Sequence, residues 1–280
     1  MSQHPSDGDS DPEDILSTSL QTLYGYAPIS HSSPGKEFTY IAKALSSAES
    51  CPLTVTLRMP DTHPSNWALH ASSVWLSSLY LADHLQDMCL ENYDGSLLEQ
   101  KVRVLELGAG AGLPSILIAK TNSAVQVTAS DFPDDDLIRT LKDNVQNNGV
   151  SDRCRIVPYA WGKDISTLTR ELFDVIVACD TLWNPDLHSL FIDALCMLLR
   201  KTSGARVHLI AGLHTGRYTL QAFMDAARRA GLDIRNAQER EVMSGCVQRE
   251  WNLSRAETEN EQERRQWVVW ITLAWPSDFI

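Results

Sequence analysis

The run Val102-Arg103-Val104-Leu105-Glu106-Leu107-Gly108-Ala109-Gly110-Ala111-Gly112 constrains this chain more than any other segment. A short apolar run followed by three glycines on alternate positions reads as a buried parallel strand that enters a tight turn and then a helix. Glycine at those positions leaves the backbone open to a ligand. Dinucleotide loops place glycine at the first, third and sixth positions, and counting from Gly108 the sixth is Leu113. Nucleoside triphosphate loops need a Lys-Ser/Thr pair after the glycines, and none follows. Pro114, in the expected first helical turn, removes an amide that a pyrophosphate would use. The segment predicts a ligand without phosphate.

Two acids point the same way. Glu106, at the strand end, can attract the amine or sulfonium neighbourhood of S-adenosylmethionine and would repel phosphate. A second strand ends in Asp131, whose carboxylate can accept hydrogen bonds from both hydroxyls of a ribose. S-adenosyl-L-methionine is therefore the expected cofactor. The plain alternative is an open-sheet α/β domain with a glycine turn and surface carboxylates.

The apolar pattern predicts strands over 102–107, 125–130, 154–158, 173–179 and 205–211, and helices over 114–121, 134–147, 186–200 and 216–229. Two late strands follow near 232–242 and 266–275. That order implies an α/β fold: a doubly wound, mostly parallel, seven-stranded Rossmann-like sheet closed by an antiparallel C-terminal hairpin. Upstream, 37–44 and 51–59 read as two short strands joined by a Ser-rich turn, and 74–85 has helical spacing. The chain divides into a disordered acidic tail at 1–14, a small N-terminal extension at 15–65 and, over 66–280, the domain that carries the glycine loop. Asp7, Asp9, Asp11, Glu13 and Asp14 lie among Ser, Gly and Pro in the tail, which lacks the apolar content to fold.

With 280 residues, 43% of them hydrophobic, one large domain plus an extension can bury a full core. The formal charge of −12 weighs against a nucleic-acid partner, because phosphate binding needs clustered Lys and Arg. It permits a basic protein substrate. No secretory segment or run of membrane-spanning length is visible, so no membrane partner is expected and a soluble protein of the cytoplasm, and also of the nucleus, is. Cys51, Cys89, Cys154, Cys179, Cys196 and Cys246 show neither CxxC nor Cys/His ligand spacing, so no metal site or disulfide framework is expected.

The strand 173–179 ends in Cys179-Asp180-Thr181-Leu182-Trp183-Asn184-Pro185, on the side where ligands of such sheets bind. An acid and an aromatic three residues apart can bind an amine: the carboxylate orients it, and the ring excludes water and favours a cation. Asp180 and Trp183 are the candidate catalytic pair. In the structural alternative Asp180 caps the next helix and Trp183 packs beneath it. Adenine N6-methylating enzymes carry Asn/Asp-Pro-Pro-aromatic here, and Thr181-Leu182 speaks against that chemistry. Trp161-Gly162 follows the third core strand, where a ring could wall off adenine and the glycine leave room for it. Trp67 and Trp75 are candidates for a lid or for simple core, while His70, His188 and His214 show no triad spacing and receive no role. The stretch 255–265, dense in Glu and Arg, reads as a solvated connection.

On these residues the chain resembles class I, seven-β-strand methyltransferases. More narrowly it resembles the methyltransferase-like branch containing protein lysine methyltransferases, including fungal enzymes acting on a translation elongation factor, some of which carry the label nicotinamide N-methyltransferase. The resemblance rests on Trp75 with its small apolar neighbours, Glu106-Leu107-Gly108-Ala109-Gly110, Gly112-Leu113-Pro114, Ser130-Asp131-Phe132-Pro133-Asp134, Asn144, Trp161-Gly162 and residues 179–184, and spans roughly 65–275. It implies cofactor binding through Trp75, Gly108, Ala109, Gly110, Asp131, Trp161 and Cys179, with Glu106 and Gly112 completing the loop. The family's signature after this strand is Asp/Glu-x-x-Tyr/Phe, and Trp183 stands in for the usual aromatic.

The implied reaction is direct displacement at the activated methyl carbon, in which alignment and desolvation outweigh acid–base catalysis. A lysine must first lose its proton, against a reference pKa of about 10.4, and Asp180 is placed to orient it. The expected acceptor is a lysine or N-terminal amine of a protein, with a translation factor among the candidates. The rivals are a small-molecule N-methyltransferase of the nicotinamide type and a non-catalytic interaction protein that keeps the fold.

Overall fold

The computed structural model describes residues 28–42, 52–92, 101–169, 172–242 and 247–279. The acidic stretch 1–14, Cys51 and Cys246 lie outside them. Strands are β1 (Ser30–His31), β2 (Glu37–Ile41), β3 (Thr54–Arg58), β4 (Val74–Trp75), β5 (Val102–Leu107), β6 (Val125–Asp131), β7 (Cys154–Pro158), β8 (Val175–Cys179), β9 (Arg206–Gly212), β10 (Asp233–Glu241), β11 (Gln248–Glu250) and β12 (Trp267–Ala274). Helices are α1 (Leu76–Asp83), α2 (Leu113–Thr121), α3 (Asp135–Asn147), α4 (Ser166–Thr169), α5 (His188–Leu198), α6 (Arg217–Arg229) and α7 (Glu261–Arg264).

The main sheet runs β11-β10-β12-β9-β8-β5-β6-β7. From β7 to β9 neighbouring strands are parallel, while β12 is antiparallel to both β9 and β10. Every residue of β8 is buried, which is why its sequence is apolar throughout: helices cover both faces of the sheet. One face packs Val104, Val127 and Val177 with Ile116 and Leu141, and the other packs Leu105, Ile176 and Leu209 with Phe191 and Phe223. The chain leaves β5 outward through β6 and β7, then returns to β8 on the other side. That reversal opens a crevice at the carboxyl ends of β5, β6 and β8, the place where open α/β sheets bind ligands.

Two details depart from the sequence expectation. The late strands do pair antiparallel, but β12 lies inside β10 because its apolar WVVWITLA is largely buried while DIRNAQERE of β10 is half-exposed. An eighth strand, β11, then pairs with the outer edge of β10. Its three residues are Gln248, Arg249 and Glu250, polar and short as edge strands tend to be.

The N-terminal strands share the core of the sheet. β2 and β3 form an antiparallel pair, and Tyr40, Val55, Leu57 and Met59 join the cluster built around Val104 and Ile116. Asn144, buried on α3, fastens this pair: its Oδ1 accepts from Arg58 N at 2.8 Å and its Nδ2 donates to Arg58 O and Ala111 O, each at 2.9 Å. Tyr40 Oη donates to Asp83 Oδ1 on α1. Asp134 caps α3 through the amides of Asp136 and Leu137, and also accepts from His63 N and Asn66 Nδ2. Burial alone would raise its pKa, but these donors outweigh that and hold the carboxyl below its usual value.

The charged stretch 255–265 is not simply solvated. Arg217 at the start of α6 is buried and pairs with Glu239 of β10 at 3.0 Å and with Glu259 at 2.7 Å. Arg249 and Arg255 also donate to Glu239, at 2.7 and 2.8 Å. Two residues of the stretch, Arg255 and Glu259, thus join a buried hub, which the sequence hides because Arg217 and Glu239 lie outside it. Substituting Glu239→Gln keeps the shape and removes the charge that three arginines share. The expected cost is about 3 kcal/mol, as for breaking other buried ion pairs, visible as a lower urea midpoint with an unchanged slope.

Candidate active site

The glycine loop closes on itself before it meets any ligand. Gly108 N and Ala109 N both donate to Ser130 O, Gly112 N donates to Ala109 O, and Gly110 N donates to Asp131 Oδ2 at 2.6 Å. Ser115 N, in the first turn of α2, donates to Glu106 Oε2 at 2.9 Å, and the Ser115 hydroxyl bonds the same oxygen. Pro114 has no N–H. The amides that would cradle a phosphate at this helix start are thus largely committed within the protein.

The three glycines differ in purpose. All have positive φ, from 54° to 91°, which side chains seldom adopt. A Cβ on Gly108 would come within 2.8 Å of the Thr181 methyl and one on Gly112 within 2.6 Å of Leu141, so both allow packing. At Gly110 the nearest atom is 3.8 Å away. The open backbone is at Gly110.

Glu106 departs from its expected role. It is 1% exposed, does not line the cavity, and anchors α2 through Ser115. Burial pushes its pKa up to about 8 against the lowering effect of the Ser115 bonds, so near neutral pH it is largely uncharged and offers a cation little attraction. Asp131 does reach the cavity. Burial raises it to about 6, partly offset by amide bonds from Gly110 and Phe132.

A cavity of about 290 Å³ opens above the loop, near the lower end of the roughly 300–1,000 Å³ usual for small-molecule sites. Trp75, Gly108, Ala109, Gly110, Gly112, Asp131, Trp161, Cys179, Asp180 and Trp183 all line it. Trp161 leans on Phe191 with ring centres 4.5 Å apart. Gly162 leaves no room for a base, contrary to expectation: a Cβ there would lie 2.7 Å from Leu190, so the glycine admits α5. The Cys179 thiol is buried and its pKa well raised by desolvation, which leaves it an inert small side chain.

Asp180 lies at the tip of β8 in a left-handed conformation, φ 51°. It does not cap the next helical turn, a task that Asn184 performs. Its Oδ1 accepts from Gly212 N at 2.7 Å and its Oδ2 from Ser77 N at 3.3 Å, so it ties β9 and α1 to the strand end. Each oxygen retains lone-pair capacity for an amine.

Rings cluster beside it. Trp183 meets His70 edge to face at 5.0 Å, His70 meets Trp75 at 6.0 Å, and Trp75 stacks on His214 at 5.7 Å. Trp75 Nε1 donates to His70 O, and Trp75 pairs with Ser30 as part of β4. Gly212 has an ordinary backbone, φ −65° and ψ 139°. It is glycine for another reason: a Cβ would sit 2.3 Å from the His214 ring. Trp67 is 63% exposed and outside the cavity lining, so of the two candidate lids only Trp75 belongs to the site. Sequence reasoning left His70 and His214 without roles; the one faint signal was a glycine at 212 where no turn required it. His188 is structural, bonding Leu182 O.

A doubly wound sheet with a glycine loop whose amides are largely committed and a carboxylate at the tip of the second core strand defines a Rossmann-like fold with a ligand crevice at its strand ends. A family model described as lysine methyltransferase matches residues 63–229, and the chain belongs to that family. Among its relatives, the protein N-terminal and lysine N-methyltransferase efm7 of Schizosaccharomyces pombe is 31% identical over 193 residues, covering 65% of this chain and 71% of the relative. The protein of the same name from Neurospora crassa is 27% identical over 244 residues, or 80% and 79%. That from Candida albicans is 26% identical over 214 residues, or 70% and 76%. The chain is a methyltransferase, and the family implies S-adenosylmethionine as donor.

Glu106 supplies a direct stability test. Its pKa rises from 4.5 to about 8 on folding, so the folded state holds a proton that the unfolded state has released, and stability falls as pH rises through that window. Glu106→Gln removes the titration while keeping an acceptor for Ser115 N. The variant should match the parent near pH 5 and exceed it by at least about 1 kcal/mol at pH 9 in urea unfolding of the ligand-free protein.

Proposed function

We propose that this methyltransferase transfers the methyl group of S-adenosylmethionine to an amine of a protein, on a lysine or at the N-terminus. The observation that carries the reading is a single cavity with the open backbone of Gly110 and the Asp131 carboxylate on its wall, together with the Asp180 and Trp183 pair. The names of the relatives support a protein amine as acceptor. A translation factor is a candidate substrate, and the cytoplasm, with the nucleus, the proposed site of action.

The residues present fit the cofactor. Asp131 would hold the ribose hydroxyls, residues 108–110 and Trp75 would border the amino-acid part, Trp161 would wall the adenine, and small Cys179 would leave space beside the sulfonium. When bound, the cofactor supplies a methyl group on a good leaving group. The protein then has to orient and desolvate the acceptor nitrogen. Asp180 is anchored on both oxygens by backbone amides, which holds its lone pairs in a defined direction for an amine. Trp183 and Trp75 exclude water and favour a cation approaching that carboxylate.

Asp131 gives this reading a pH signature. Ribose hydroxyls bind the ionised carboxylate best, and the free protein holds a proton there up to about pH 6. Cofactor affinity should fall as pH drops below about 6, towards tenfold per unit. Calorimetry across pH 5–8 measures it, and Asp131→Asn should bind more weakly with a flat profile.

The acceptor class is tested with labelled cofactor and total protein extract. Label in a protein band supports the proposal, whereas label confined to small metabolites points to the nicotinamide-type alternative. Asp180→Asn should reduce protein labelling at least about tenfold while cofactor affinity by calorimetry stays within twofold of the parent, roughly 0.4 kcal/mol.

A further inference from the structure

We propose that His70 accepts the proton of the incoming ammonium group. The inference rests on the reading of this site as an amine methyltransferase and adds a residue that neither the motifs nor the relatives assign.

An ammonium nitrogen has no lone pair with which to attack, so the site needs a proton acceptor with a route to water. The other titratable groups on the cavity wall are poorly suited. In the proposed arrangement Asp131 is committed to the ribose hydroxyls and Asp180 to orienting the amine, and each carboxylate already carries two amide bonds, from Gly110 and Phe132 and from Gly212 and Ser77. Cys179 and Tyr159 are buried groups that carry their own protons. Ser73 and Ser78 are hydroxyls without basicity.

His70 differs in each respect. It lines the cavity yet is exposed, which gives its ring access to both acceptor and solvent. Neither ring nitrogen hydrogen-bonds to any described residue, although other histidines are engaged: His63 Nδ1 with Ser65, His84 Nδ1 with Tyr80 O and His188 Nε2 with Leu182 O. The ring is wedged edge to face against Trp183 at 5.0 Å and Trp75 at 6.0 Å. Its backbone is left-handed, φ 52° and ψ 31°, an uncommon state for a non-glycine residue. Two bonds sustain that state: His70 N donates to Trp67 O at 3.0 Å, and His70 O accepts from Trp75 Nε1 at 2.7 Å. That conformation ends the 64–69 turn and fixes the residue's backbone beside the cavity.

The step balances simply. An imidazole nitrogen takes the proton, the N–H bonding pair stays on the amine as its lone pair, and the imidazolium returns the proton to water at its exposed edge. The groups that can influence this equilibrium are Asp180 and Asp131 on the cavity wall, His214 behind Trp75, and His63 and Asp134 beside the 64–69 turn.

His70→Gly is the appropriate variant, since glycine adopts the left-handed backbone without strain and leaves a hole the size of the ring. Label transfer from S-adenosylmethionine to total extract protein should fall at least tenfold at pH 7, rise with pH towards the parent rate, and recover in part with free imidazole. Cofactor affinity by calorimetry should be unchanged, which shows an intact fold. An unaltered rate and pH profile would overturn the proposal, as would a loss that neither imidazole nor high pH relieves. If the parent protein itself labels no protein, the reading of the site fails instead.

Discussion

A hydrogen bond of 2.6 Å between Gly110 N and Asp131 Oδ2 joins the tips of two neighbouring parallel strands, and the site takes its shape from it. Without that tie the loop after β5 would have to satisfy its amides some other way, and a row of free N–H groups ahead of a helix is a phosphate site. With it, and with Glu106 bonded to Ser115, the loop presents backbone surface rather than donors. The same loop is fixed from below by Asn144, which bonds Ala111 O while holding Arg58 of the N-terminal strand pair. Cofactor loop, α3 and the N-terminal strand pair thus form one hydrogen-bonded unit.

Much of this was legible in the chain. β5, β6, β8 and β9 are apolar runs ended by Gly or Asp, and α3 and α6 have the amphipathic spacing of helices that cover a sheet. The motif residues converge on one cavity because motifs at strand ends of a doubly wound sheet must face the same crevice. Leu113 in place of the sixth glycine and Pro114 in the first turn already excluded phosphate, and the committed amides give that exclusion its physical basis.

What the chain concealed was the partner of each group. Glu106 and Asp131 look alike as acids at strand ends. One is buried under Ser115, nine positions further along the chain, and the other ends the neighbouring strand and opens to the cavity. Glycines carry no record of why they are small: Gly108, Gly112, Gly162 and Gly212 admit Thr181, Leu141, Leu190 and His214. The segment 255–265 looked solvated because its buried counter-ions lie outside it: Glu239 is 16 residues before Arg255, and Arg217 is 42 before Glu259. His70 and His214 received no role from the sequence because side chains that meet only across the cavity wall, with no triad spacing, leave no local pattern.

The pairing of Ser30 with Trp75 has a consequence for where this enzyme begins as a physical object. The family model's match starts at residue 63, yet one strand-partner of the cavity wall lies more than thirty residues before that point, and Arg58 braces the cofactor loop through Asn144. A chain shortened to the family boundary would retain every motif and lose the scaffolding behind two of them. Recognition of the fold by sequence and integrity of its reaction chamber have different left-hand borders.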